Sequence, residues 1–236
     1  MIKILKSGQS VQGRKIELVS LTSFDPKKKS ILLIACAHGN EKEGVYCVEQ
    51  ILEHSEDYHY HPDYNFLCIP CLNPDGFFLD TRDNANGVNL NRNMPTKDWI
   101  SGIDGHTEKY ANFFGGKAPA SEPETQFLLD VMETYDIAFI LTLHAPLYLI
   151  DINGPSKGVA DKLSAYSGYP VGQVSYPTPG TLGTWAGHER QIPTITYEFT
   201  EGKTTAEYEA IWQSHKSMFK WFFEEMDALK LKDKVS

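Results

Sequence analysis

Residues Ile31–Ala37 are apolar without a break, and the run stops abruptly at His38-Gly39-Asn40. A strand with one face in water alternates apolar and polar residues. An unbroken apolar run of this length belongs instead to a strand covered on both faces, as in a sheet sandwiched between helices. Just past the break, Val45, Val48, Ile51 and Leu52 recur at helical spacing. Strand, glycine-containing turn and helix in that order make half of a βαβ unit, which commits the chain to an α/β architecture.

The rest of the sequence agrees with that start. Asn65–Pro70, Ala138–Leu143 and Thr194–Phe199 read as further buried strands, and Val11–Val19 as an early strand that alternates after Gly13. Helices are predicted over Glu122–Tyr135, with an apolar stripe of Phe127, Leu128, Val131 and Met132, over Ala160–Ser167, and over Ala206–Leu229. In the last of these Trp212, Phe219, Trp221 and Phe222 are available for docking. The 236 residues suit one domain of this kind. The expected fold is therefore α/β, a single domain over 1–236 with a mixed, largely parallel central sheet flanked by helices. Between the strands lies Asn73–Lys117, which has no clear periodicity. So long an irregular segment inside a compact domain is more often functional than idle.

Charge narrows the partners. The formal net charge of -9 repels polyanions, which disfavours nucleic acid and anionic membrane surfaces. The longest apolar runs are strand-sized, far short of the ~18–20 residues of a membrane span. The N-terminal segment carries a lysine within its short apolar part and does not resemble a secretory signal, so the chain reads as cytoplasmic. Cys36, Cys47, Cys68 and Cys71 fall in or beside expected core elements and read as reduced thiols. Cys68-Ile-Pro-Cys71 has redox or zinc spacing, but no second pair follows it and Cys68 lies within an apolar run, which favours a structural role. Nothing in the sequence sets an oligomeric state.

Ligand sites in open α/β sheets lie beyond the carboxyl ends of the strands. Metal-competent residues occur at three such ends: His38 with Glu41 after the first buried run, His144 after Leu143, and Glu198 near the end of Thr194–Phe199. Two neutral imidazoles and a carboxylate suit Zn²⁺ and leave a fourth position for water. Each residue alone also fits a hydrogen-bonded structural role. His54, His59, His61, His106 and His215 read as surface or packing residues, and His188 stays open. Of the four arginines, Arg14, Arg82, Arg92 and Arg190, two fall in the irregular segment. A guanidinium binds carboxylates bidentately, which points to an anionic ligand group, with loop bracing as the competing role.

The ordered set His38-Gly39-Asn40-Glu41, Asn73-Pro74-Asp75-Gly76-Phe77, Arg82, Asn91-Arg92-Asn93, His144-Ala145-Pro146 and Glu198 resembles the zinc metallocarboxypeptidases of the carboxypeptidase A type. Asn86–Pro95, His144–Pro146 and Tyr176–Trp185 look most like their compact bacterial murein peptide amidase branch, which cleaves the γ-D-glutamyl–diaminopimelate bond of recycled wall peptides. The resemblance implies one zinc ion held by His38, Glu41 and His144, with Glu198 as the catalytic base and Arg82 stabilising the oxyanion. It also implies that Asn91 and Arg92 grip the free carboxylate of a small peptide. Tyr176 would close over the substrate and Gly183 would lie at the base of the specificity pocket. Asp151 is placed to meet a diaminopimelate amino group or to serve as an ordinary loop carboxylate.

Two other readings compete. One keeps fold and metal but acts on N-acyl amino acids, as in the aspartoacylase and succinylglutamate desuccinylase group. The other is a non-catalytic peptide-binding module, which the retained ligands and base disfavour.

Overall fold

The computed structural model describes residues 2–102 and 113–228. Eight strands form one sheet: β1 (Lys3–Gln9), β2 (Lys15–Ser20), β3 (Lys29–Ala35), β4 (Tyr64–Ile69), β5 (Ile137–His144), β6 (Leu149–Asn153), β7 (Val171–Gly172) and β8 (Thr194–Glu198). Among the described residues five α-helices accompany them, α1 (Lys42–Glu53), α2 (Pro74–Leu79), α3 (Pro123–Thr134), α4 (Lys157–Ser167) and α5 (Thr205–Glu224), along with three short helical turns of other pitch. Across the sheet the order is β1-β2-β4-β3-β5-β8-β6-β7. The inner four, β4, β3, β5 and β8, are parallel; β2 and β6 run antiparallel on either side of them. The sheet is mixed, as the sequence implied.

Strand β3 shows why the fold is sandwiched. Ile31, Leu33 and Ala35 pack on one face with Val48 and Ile51 of α1 and Phe219 and Phe222 of α5. Leu32 and Ile34 pack on the other with Phe127, Leu128 and Val131 of α3. The period-two alternation of a strand thus delivers an all-apolar sequence to two separate cores. Full burial of each aliphatic side chain stabilises the fold by roughly 1.5–3 kcal/mol, so this strand is anchored on both sides.

Several expectations shift. Residues 10–14 form a turn, closed by Gly13 N–H donating to Ser10 O, and β2 begins only at Lys15. The missed β1 is an edge strand rich in polar residues and largely open to solvent, so it carries no apolar signature. Within the irregular segment α2 forms despite containing Pro74, Asp75 and Gly76, because Pro74 opens it and the Asn73 side chain accepts from Gly76 N at 2.9 Å. Helix α5 ends at Glu224, short of Leu229, which with His106 lies outside the described residues.

The chain from β3 goes through α1 to β4 on one side, while β5 lies on the other side of β3. A crevice therefore opens beyond the carboxyl ends of β3 and β5, where such sheets bind ligands.

Candidate metal centre and substrate cleft

Three elements bring the candidate ligands together. His38 leaves β3 in a turn that passes so close to α2 that a Cβ on Gly39 would lie 2.0 Å from the Gly76 carbonyl carbon, so only glycine fits there. Glu41 is the residue at the N-terminus of α1, where the helix dipole favours a carboxylate. His144 is the last residue of β5 and stands in register with Glu198, the last of β8.

Ligand atoms from His38, Glu41 and His144 all lie within 4.8 Å of one another, and all three residues are buried. His38 Nδ1 is 2.7 Å from Glu41 Oε1 and 3.1 Å from His144 Nδ1, and His144 Nδ1 is 2.9 Å from Glu41 Oε2. The protonation pattern decides what this cluster is for. Asn89 Oδ1 accepts from the Asn91 backbone N–H, which fixes the amide, and it lies 3.1 Å from His38 Nε2. His38 must therefore carry its proton on Nε2. Burial pushes the His38 pKa down to about 4, so the ring is neutral near pH 7 and its Nδ1 presents a lone pair. That lone pair faces a carboxylate oxygen and a second imidazole nitrogen. Such an arrangement is repulsive unless protons or a metal cation sit among the atoms, and an imidazole–imidazole–carboxylate set with one nitrogen held by a buried amide suits zinc. Burial opposes the charged form of His144 as well, yet the Glu41 and Glu198 carboxylates overcome it and raise its pKa. The centre attracts positive charge.

Beside the cluster runs a cleft whose walls include Arg82, Asn91, Arg92, Tyr176 and Glu198, as well as Asp151 and Gly183. Every residue singled out in the sequence for a site role is thus at the cluster or on the wall of this one cleft. Glu198 is 9% exposed; burial raises its pKa, and its Oε2 accepts a long contact of 3.4 Å from Leu147 N. Arg82, partly exposed, donates to Glu41 Oε1 at 2.7 Å. The Asn91 Oδ1 accepts from Leu182 N at 3.1 Å, which leaves its amino end for a ligand acceptor. Arg92 donates to Asn91 O at 2.6 Å, while its buried Nε has no partner. Burial pushes the Arg92 pKa down to about 10, and no acidic side chain pairs with it among the described residues. An inward guanidinium without a counter-ion is suited to a carboxylate brought by the ligand.

Sequence reasoning passed over Asn89 and Asn153. Asn89 lies in the quoted Asn86–Pro95 run, but only the fold shows that it holds His38. Of the cysteines, Cys36, Cys47 and Cys68 are buried and all four are free, as expected. His215 packs in an aromatic box with Tyr169, Tyr197 and Phe199, and exposed His188 borders the outer part of the cleft.

Two imidazoles and a carboxylate suited to zinc, at a sheet switch point and beside a guanidinium with no acidic partner among the described residues, fit a zinc hydrolase that takes a carboxylate-bearing amide, and comparison with known families narrows this class to the metallopeptidases. Residues 1–150 match the zinc carboxypeptidase family, and the chain belongs to it. It is a metallopeptidase, with zinc as the cofactor the family implies. Murein peptide amidase A of Escherichia coli strain K12 is 33% identical over 181 residues, covering 73% of this chain and 72% of its own. The solved murein-tripeptide amidase MpaA from Escherichia coli O157 superposes with a TM-score of 0.74 at 26% identity, over 93% of this chain and 92% of that one. Carboxypeptidase A from Helicoverpa armigera shares the fold, with a TM-score of 0.72 at 16% identity, over 98% of this chain and 67% of that one. These relatives favour a peptidase over an N-acyl amino acid hydrolase. No helix among the described residues is long and apolar enough to cross a membrane.

Proposed function

We propose that the chain is a cytoplasmic zinc carboxypeptidase/amidase of peptidoglycan recycling that hydrolyses the γ-D-glutamyl–diaminopimelate bond of small murein peptides, with 1–236 acting as one catalytic domain. The observation that carries the reading is the cluster of His38, Glu41 and His144 set beside Arg92, whose buried Nε lacks a partner and which no acidic side chain among the described residues pairs with. The names of the amidase relatives support the substrate.

His38, Glu41 and His144 would hold one zinc ion. When bound, zinc supplies Lewis acidity and lowers the pKa of water at the site. Arg92 and the amino end of Asn91 take the free carboxylate of the residue to be released, which fixes the scissile amide over the cluster and makes the enzyme act at a chain end. Glu198, which burial makes more basic than a solvated carboxylate, removes the proton from the attacking water and returns it to the leaving amine. Arg82, already within the field of Glu41, turns its guanidinium to the oxyanion that develops on the scissile carbonyl. Tyr176, 42% exposed on the cleft wall, covers the bound peptide.

Mass spectrometry after incubation with a peptide ending in γ-D-glutamyl–diaminopimelate tests this. Free diaminopimelate is the expected product. No release from that peptide, with hydrolysis of N-acyl amino acids instead, would overturn the substrate reading.

A further inference from the structure

The cleft contains a second ionisable group with no oppositely charged partner among the described residues, opposite in sign to Arg92. Strand β6 alternates: Ile150 enters the core beneath the sheet, while Asp151 and Asn153 face the cleft. Asp151 pairs with Thr196 across β8, so it shares a face with Thr196 and Glu198, one diagonal step of roughly 7–8 Å from the residue proposed as base. Its carboxylate is 8% exposed; Oδ1 accepts from Val174 N at 3.0 Å and Oδ2 from Asn153 Nδ2 at 2.9 Å.

Gly183 belongs to the same arrangement, since a Cβ there would lie 2.4 Å from Asn153 Oδ1. The glycine expected at the base of the specificity pocket admits Asn153, and Asn153 in turn orients Asp151. No lysine or arginine pairs with Asp151 among the described residues; exposed His188 and buried His144 act on it electrostatically, and Glu198, Arg82, Arg92 and Tyr176 line the same cleft without pairing with it. Two dipolar donors do not replace a counter-charge for a buried carboxylate, and burial raises its pKa accordingly. Beyond it the cleft continues under Tyr176 and Thr178 to Gln173 and His188, which leaves room for a long side chain.

We propose that Asp151 determines specificity at the released residue by pairing with an ammonium group on that residue's side chain. The inference rests on the function proposed above, in which Arg92 holds the same residue's main-chain carboxylate. One buried anion and one inward cation on the wall of a single cleft then select a residue with a carboxylate at one end and an amine at the other. An aliphatic or acidic side chain would leave Asp151 uncompensated.

The test uses zinc-loaded protein and two γ-glutamyl peptides that differ only by the side-chain ammonium, one ending in lysine and one in norleucine. The parent enzyme is expected to favour lysine in kcat/KM by about 10-fold or more, mainly through KM. In Asp151→Asn, which keeps the shape and one acceptor oxygen, that ratio is expected to fall close to one. An equal ratio in parent and variant, or an equal loss on both peptides, would overturn the proposal and leave Asp151 as a brace for Val174. If neither peptide is hydrolysed, the substrate reading fails. The same comparison is then made by calorimetric binding of free lysine and norleucine, with the same change of ratio expected and an unchanged ratio contradicting it. Asp151→Ser provides a second variant should Asp151→Asn not fold.

Discussion

His38, Glu41 and His144 are delivered by β3, α1 and β5, where long strands are packed on both faces, whereas Asp151 and Asn153 stand on five-residue β6, next to last in the sheet. The first group bears on elements that cannot shift without opening two cores. The second is held by one side-chain amide, one backbone N–H and the absence of a side chain at Gly183. The difference separates chemistry from selection. On the proposed roles, a change at the metal end is expected to remove the reaction and a change at the β6 end to alter which substrate is chosen, so that catalysis and specificity could vary separately.

That separation can be broken experimentally. The largest effect belongs to Glu198→Gln, expected to lower kcat by about 10²–10⁴-fold while zinc stays bound, as measured by steady-state kinetics together with metal content. The pH profile sharpens the same point. Burial raises the Glu198 pKa, a bound divalent cation acts the other way, and the base must be ionised, so kcat/KM in the parent enzyme falls as pH drops through the Glu198 pKa. Loss of that acid limb in the residual activity of Glu198→Gln is the expected outcome.

Arg92→Ala removes a charged contact with the ligand carboxylate. At about 1.5–3 kcal/mol for such a hydrogen bond, KM should rise by roughly 10–100-fold, more than kcat falls. Asn89→Ala acts a layer further out: losing the partner of His38 Nε2 should weaken zinc affinity by about 10–100-fold, read by competition with a chelator. Unchanged affinity would mean that Asn89 does not set the His38 tautomer.

The same contrast explains what was legible in the sequence. Candidate metal ligands that end long, mostly apolar runs stand out, because the break from Ala37 to His38 and from Leu143 to His144 is abrupt. Asp151 was visible only as a carboxylate of undecided role, since β6 is short, half polar and begins just after Tyr148, a residue with φ of 53°. The Gly183 position gave no specificity until the fold showed Asn153 filling the space that a side chain there would occupy. Asn89 lacked any signal of its own, because capping a turn and holding an imidazole look alike in one dimension.

Everything above depends on a cation occupying the lone-pair cluster. Zinc content of the purified protein, measured by plasma emission beside that of a His38→Ala/His144→Ala variant, tests it directly. One zinc per chain in the parent and almost none in a still-folded variant is the expected result; equal zinc in both, or none in the parent after reconstitution, would contradict the account.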